Sequence, residues 1–135
     1  MPRVRTFVDS GVLISAFQAA GDLSQRALAV LADPNRDFVS SDFVRLEVLP
    51  KAICYGRTDE RKFYEAFFSR VTRVISASRA LVAEAQVEAE SWGLSAMDAL
   101  YIAAARRGKC AELITTESPT KPLFRVPALR IVSLR

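Results

Sequence analysis

The sequence contains no histidine. That removes the imidazole on which Ser–His and Cys–His nucleophile systems depend, and with it the commonest nitrogen ligand for a metal. Cysteine is nearly as scarce. Cys54 and Cys110 stand far apart, outside any CxxC pair, so they read as small apolar side chains and not as a disulfide or a zinc site. The five glycines are scattered and form no phosphate-cradling loop, which argues against a nucleotide-binding fold. No apolar run approaches the roughly 18 residues that a membrane-spanning helix needs. The longest nearly uncharged stretches, residues 6–21 and 93–105, each carry one Asp. Arg3, Arg5 and Asp9 occupy the start of the chain with no apolar run before a cleavage site, so it does not read as a signal peptide. A cytoplasmic protein with no membrane partner is therefore expected. If the chain is an enzyme, its acid–base work must fall on carboxylates, Lys, Tyr or metal-bound water.

What is present is ordinary in bulk and unusual in detail. The 135 residues suit one domain over residues 1–135 with a real core. A net charge of +4 mildly favours a polyanionic partner. Short β-rich segments at Val4–Val8, Phe38-Val39, Val71–Ile75, Glu112–Thr115 and Leu129–Leu134 read as strands. Between them run helical patterns: Val12–Phe17, a helix capped near Asp22 and running through Leu31, Phe43–Ile53 with Pro50 inside it, one starting at Thr58, Ser78–Trp92, and Ser95–Arg107 closed by Gly108. The connection over residues 116–127, with its three prolines, shows no clear helix. Phe63, Phe67 and Phe68 are expected to face inward, and any that are exposed would mark a partner surface. Strands alternating with helices predict an α/β fold whose mainly parallel sheet is covered on both faces. Ligands in such folds bind beyond the carboxyl ends of the strands.

Four acids draw attention within this frame. Asp98 is the only charge in GLSAMDALYIAAA, a helix apolar nearly all round, where an unpartnered carboxylate costs several kcal/mol. A capping role with Ser95 explains an acid in the first turn, but not the apolar helix around it. Asp9 is the only charge in residues 6–21; it could cap the next helix, and Gly11 would let a metal or phosphate approach the backbone. Glu47, within FVRLEVLP, could equally be an exposed helix acid paired with Lys51, and Glu117, just past LITT, could be a loop acid on the surface. Together, however, they come from two strand ends and two helices that could meet in one pocket. Four carboxylates in one pocket are tolerable only with cations or bound protons. Oxygen-only donors point to Mg²⁺ or Mn²⁺, with Ser10, Thr115 and Thr116 available to hydrogen-bond the carboxylates or metal-bound waters.

These segments carry a family resemblance over nearly the whole chain. FVDSGVLISAF, RLEVLPKA, LSAMDALYIAAA and LITTESPTKPLF resemble, in order, the acidic motifs of the PIN-domain family, and within it of VapC-type toxins and their relatives. The last segment departs from the pattern, carrying Glu117 where Asp residues are usual. The resemblance implies a three-layer α/β/α sandwich of about five strands. It also implies an Mg²⁺- or Mn²⁺-dependent endoribonuclease, often dimeric and neutralised by an antitoxin. Asp9, Asp98 and Glu117 would then hold the ions, with Glu47 nearby directly or through water, and Lys121 and Arg125 are the better candidates among the basic residues for the RNA backbone. Tyr101 and Trp92 could stack bases, although core packing suits both. The alternative is a scaffold of the same fold that binds RNA or protein without cutting. A receiver-like domain fits worse, since Asp9 has no acidic neighbour and the last strand carries no Lys.

Overall fold

The computed structural model describes residues 2–135. Strand β1 (Val4–Val8) leads into helices α1 (Ser10–Gln18) and α2 (Gly21–Ala32). Strand β2 (Arg36–Ser41) is followed by α3 (Asp42–Cys54) and α4 (Thr58–Arg70). Strand β3 (Arg73–Ile75) precedes α5 (Arg79–Trp92) and α6 (Ala96–Arg107). Strand β4 (Glu112–Thr115), a short 3₁₀ helix (Pro122–Arg125) and β5 (Arg130–Ser133) complete the chain. The sheet has five strands in the order β3-β2-β1-β4-β5, and each neighbouring pair is parallel.

This order explains where the layers lie. Parallel neighbours need crossovers, and crossovers are right-handed almost without exception. The chain moves outward from β1 to β3 and then returns past β1 to β4, so the helices before β3 and those after it fall on opposite faces. In agreement, α1 packs on α2, α3 and α4, and α5 packs on α6. The result is the expected α/β/α sandwich. The inner strands β1 and β4 are buried on both sides, which is why the consecutive pairs Phe7-Val8 and Leu113-Ile114 are apolar without polar alternation. Small residues do the same for α6: Ala99 and Ala103–Ala105 are buried, letting the helix lie close to the sheet. Among the described residues no helix is long and apolar enough to cross a membrane.

Several boundaries differ from the sequence reading. The second strand runs over Arg36–Ser41, beyond the expected Phe38-Val39. The third strand begins at Arg73, not Val71, because the Val71 amide closes α4 on the Phe68 carbonyl. Helix α2 begins at Gly21 with no side-chain cap, so Asp22 lies in its first turn, where it favours the helix dipole without capping. The last strand is confined to Arg130–Ser133. The connection after β4 does contain a helical turn, the 3₁₀ segment started by Pro122 and anchored in the core by Leu123. Pro50 sits inside α3 as read; the Leu46 carbonyl it leaves without a donor belongs to a residue 66% exposed, where water can serve it.

A buried ion pair locks β1, β2 and β4 together away from the acids just discussed. Glu112 is 6% exposed and is paired with Arg36, and it accepts from Thr6 Oγ1 at 2.9 Å. Breaking one side of such a pair strands a charge. Arg36→Met is therefore expected to cost about 3 kcal/mol, read as a lower urea midpoint, whereas Arg36→Met with Glu112→Leu recovers most of it.

Candidate functional site

The order in which the chain adds strands reverses between β1 and β4, the point at which parallel α/β sheets open a crevice beyond their carboxyl ends. A cavity of about 460 Å³ lies there. Its lining includes Asp9, Glu47, Asp98 and Glu117, with Ser10, Gly11, Thr116, Tyr101 and Lys121. The four acids singled out from sequence thus meet on one surface, each delivered by a different element.

Asp9 follows the last residue of β1 and is 6% exposed. It caps α1, Oδ1 accepting from the Val12 amide at 3.1 Å, while Oδ2 accepts from the Thr115 hydroxyl. The capping role and the place in the cavity therefore coexist. Burial pushes its pKa from 3.8 up to about 6, opposed by the bonds from Thr115 and Val12 and reinforced by the charges of Asp98 and Glu117. Asp98 stands in the first turn of α6, where Ser95 Oγ accepts from its amide at 3.3 Å. Its carboxyl is raised by burial, lowered by Ser95, raised by Glu117 and lowered by Lys121.

Glu47 is exposed at the cavity rim on α3 and accepts from Ser10 Oγ at 3.3 Å. Its carboxyl is raised, chiefly by desolvation, against Ser10 and Lys51 and with Asp98. Among the described residues it makes no ion pair with Lys51. Glu117 lies partly buried just past β4, its amide donating to Thr115 Oγ1 at 3.0 Å. One hydroxyl, that of Thr115, therefore joins the Asp9 carboxylate to the Glu117 backbone. Ser10 and Thr115 bond to acids as anticipated. Thr116 makes no side-chain bond to an acid among the described residues; its Oγ1 lies so close to Gly11 that a Cβ there would overlap it, so glycine is what allows the two loops to meet.

Lys121 lines the cavity, but Arg125 does not; its Nη1 donates to the Trp92 carbonyl at 3.4 Å. The cations closing α6 are committed elsewhere, Arg106 to Glu88 at 2.6 Å and Arg107 to Glu84 at 2.6 Å. Tyr101, 5% exposed, packs its ring on Phe7 at 5.7 Å between centroids, so its main role is core packing. Sequence reasoning missed the supports from β5. Ser133 Oγ donates to the Glu117 carbonyl at 2.6 Å, and Arg135 Nε to the Thr116 carbonyl at 2.6 Å. Nothing in the local sequence marks them; only the pairing of β4 with β5 brings them there.

Among the described residues no group of three or more acidic or cysteine side chains is arranged as a ready-made metal cage. The donors still fit a hard divalent ion in kind, because all are oxygens and repulsion between them helps hold Asp9 and Asp98 above their ordinary pKa. Mg²⁺ keeps several waters and takes only one or two direct carboxylates, so it does not require a dense cluster.

A family model described as PIN domain matches residues 6–118. No curated protein matches the chain. Among solved structures, a toxin-antitoxin complex from Klebsiella pneumoniae has a chain similar at TM-score 0.72 and 21% identity, covering 96% of this chain and 98% of that one. VapBC2 from Rickettsia felis, bound to a DNA fragment from its promoter, matches at 0.70 and 19%, covering 96% and 98%. PAE2754 from Pyrobaculum aerophilum matches at 0.58 and 18%, covering 96% and 92%. At these identities the likeness speaks for the fold.

Proposed function

Because the chain belongs to the PIN domain family, we propose that its acid cavity is the active site of an Mg²⁺- or Mn²⁺-dependent endoribonuclease, the toxin of a toxin–antitoxin pair. The observation that carries this reading is the meeting of Asp9, Glu47, Asp98 and Glu117 on one cavity at the sheet's switch point. Asp9, Asp98 and Glu117 would hold the ion, with Glu47 reaching it directly or through water. A bound divalent ion supplies Lewis acidity toward the phosphate and eases deprotonation of an attacking water.

The chain's own groups do the rest. The bonds from Val12 and Thr115 fix both Asp9 oxygens in place, so the deepest carboxylate is oriented before substrate arrives. Ser10 holds Glu47 at the solvent rim, where it can orient a water. Lys121 meets the RNA phosphate at the mouth, while Arg125 steadies the Trp92–Gly93 turn beside it. Gly93 adopts φ +70°, a left-handed close to α5 that turns the chain toward the Asp98 helix.

An antitoxin partner, drawn from the complexes of the structural neighbours, would seat on the apolar groove between α2 and α4. Leu28, Leu31, Phe63, Ala66 and Phe67 line it. Phe67 and Phe68 are buried as expected, and partly exposed Phe63 is the member left for a partner. A cytoplasmic homodimer completes the reading.

The test is direct. The purified chain, incubated with total RNA and Mn²⁺, is expected to produce discrete fragments, to lose all cutting in EDTA, and to weaken steeply between about 50 and 200 mM salt. Cutting that persists in EDTA overturns the proposal. Glu117, standing where Asp residues are usual, favours one rival, a scaffold of this fold that binds without cutting. Such a scaffold would show neither cleavage nor a thermal shift with divalent ions.

A further inference from the structure

Glu117 is carried differently from the other three acids. Asp9 caps α1, and Glu47 and Asp98 sit within helices, but Glu117 stands past the end of β4, so its direction depends on what fixes a loop backbone. Carbonyls that leave a strand must find new partners. Three consecutive ones do so here, all on residues 133–135. The Thr115 carbonyl accepts from the Leu134 amide at 2.9 Å, the Thr116 carbonyl from Arg135 Nε at 2.6 Å, and the Glu117 carbonyl from Ser133 Oγ at 2.6 Å. The first bond continues the pairing of β4 with β5; the other two are side-chain bonds that take over where the chain leaves the ladder. Ser133 Oγ also accepts from the Arg135 amide at 3.1 Å, which leaves its own hydrogen for the Glu117 carbonyl. On the other side of the same Cα, the Glu117 amide donates to Thr115 Oγ1 at 3.0 Å. Both peptide groups flanking Glu117 are therefore held by hydroxyls, and the direction in which its carboxylate leaves the backbone is set before any ligand arrives.

We infer that Ser133 is a positioning residue of the acid cavity: by holding the Glu117 carbonyl, it aims the Glu117 carboxylate at the divalent ion. The inference rests on the metal-dependent reading above. Ser133 itself does not line the cavity, whereas Glu117 does, so the serine acts only through the acid. Removing its hydroxyl changes neither the charge of the cavity nor any of its lining side chains. What is lost is the aim of one carboxylate, and the effect falls on affinity for the ion, which can be read without any turnover. A bond of this kind, exchanged against water, is worth roughly fivefold in an equilibrium constant.

The test is a calorimetric titration of the full chain with Mn²⁺ alone at neutral pH, with thermal melts in EDTA alongside, comparing wild type, Ser133→Ala, Ser133→Thr and Arg26→Ala. Ser133→Thr keeps the hydroxyl. Arg26→Ala is the control for the same segment, because Arg26 Nη1 donates to the Leu134 carbonyl at 2.9 Å, a bond that does not involve residues 115–117. Ser133→Ala is expected to bind Mn²⁺ roughly fivefold more weakly than wild type while melting within about 5 °C of it. Ser133→Thr and Arg26→Ala are expected to keep wild-type affinity. A Ser133→Ala titration that matches wild type, or a Ser133→Ala chain that no longer folds, overturns the positioning role while leaving the nuclease reading intact. Equal weakening in Arg26→Ala would show a general loosening of β5, and equal weakening in Ser133→Thr would show that the hydroxyl is not responsible; either result overturns the role as well. If wild type binds no Mn²⁺, it is the metal-dependent reading that fails, and the inference falls with it.

Discussion

Asp98→Asn is expected to lower Mn²⁺-dependent RNA cleavage by a factor on the order of 10²–10³, with the protein still folded. The substitution keeps the side-chain shape and removes only the charge. The cap of α6 survives, because Ser95 Oγ accepts from the backbone amide of residue 98, a bond the substitution leaves in place. Ser95→Ala is the companion variant: it removes the cap at a cost of about 1 kcal/mol and one hydrogen bond to the Asp98 carboxyl, but leaves the carboxylate's charge. If Asp98 matters as a ligand, cleavage tracks Asp98→Asn and not Ser95→Ala. If it matters only as part of a helix start, the two variants lose stability together and neither loses cleavage selectively. Initial rates at saturating Mn²⁺, with unfolding midpoints measured alongside, separate these outcomes.

Asp9→Asn is expected to make the metal-free protein more stable at neutral pH, the reverse of what loss of a structural cap would do. Burial holds the folded-state pKa of Asp9 at about 6, above its ordinary 3.8. A carboxyl raised in this way favours folding while it is protonated. That stability is fully present below about pH 4, is lost as the pH rises through about 6, and stays lost above it. The corresponding penalty at pH 7.5 is about 3 kcal/mol, or roughly 5–10 °C in Tm for a chain of this size. Asparagine avoids it and can keep both local bonds, its carbonyl oxygen accepting from Val12 and its amide donating to Thr115. Thermal melts in EDTA should therefore show Asp9→Asn above wild type at pH 7.5 and level with it near pH 4. Adding Mn²⁺ should stabilise wild type and leave the variant nearly unmoved. A variant that melts below wild type in EDTA at pH 7.5 would show that Asp9 is a satisfied cap and not a carboxylate awaiting a cation.

The acids differ in how plainly they could be read before any coordinates. Asp98 and Asp9 were legible because each is the sole charge in a long apolar stretch, and a burial cost without visible compensation is a signal that composition alone carries. Glu47 was not legible alone, since it is exposed on α3 and its neighbours look like any helix surface. Its place at the rim depends on α3 packing against α1, a long-range fact. Glu117 was legible only through the rule that ligands gather beyond strand ends, and it needed the order β3-β2-β1-β4-β5 to place β4 beside β1. The alternation of strands and helices was enough for the layer architecture, because apolar period and turn residues are local properties. The orientation of Lys121 and Arg125 was beyond reach for the opposite reason. Four residues apart on the same connection, they diverge because a 3₁₀ turn intervenes and the Trp92 carbonyl happens to offer Arg125 an acceptor. The supports from Ser133 and Arg135 were equally hidden, since a serine in a short terminal strand looks like any other.

The proposed divalent ion would sit at the switch point between β1 and β4. Anomalous scattering from crystals soaked in Mn²⁺ locates that ion without reference to activity. The predicted result is a peak in the cavity within ligand distance of Asp9, Asp98 or Glu117, absent from Asp98→Asn crystals. No peak there at saturating Mn²⁺, or peaks only at scattered surface acids, would contradict a metal site in this cavity.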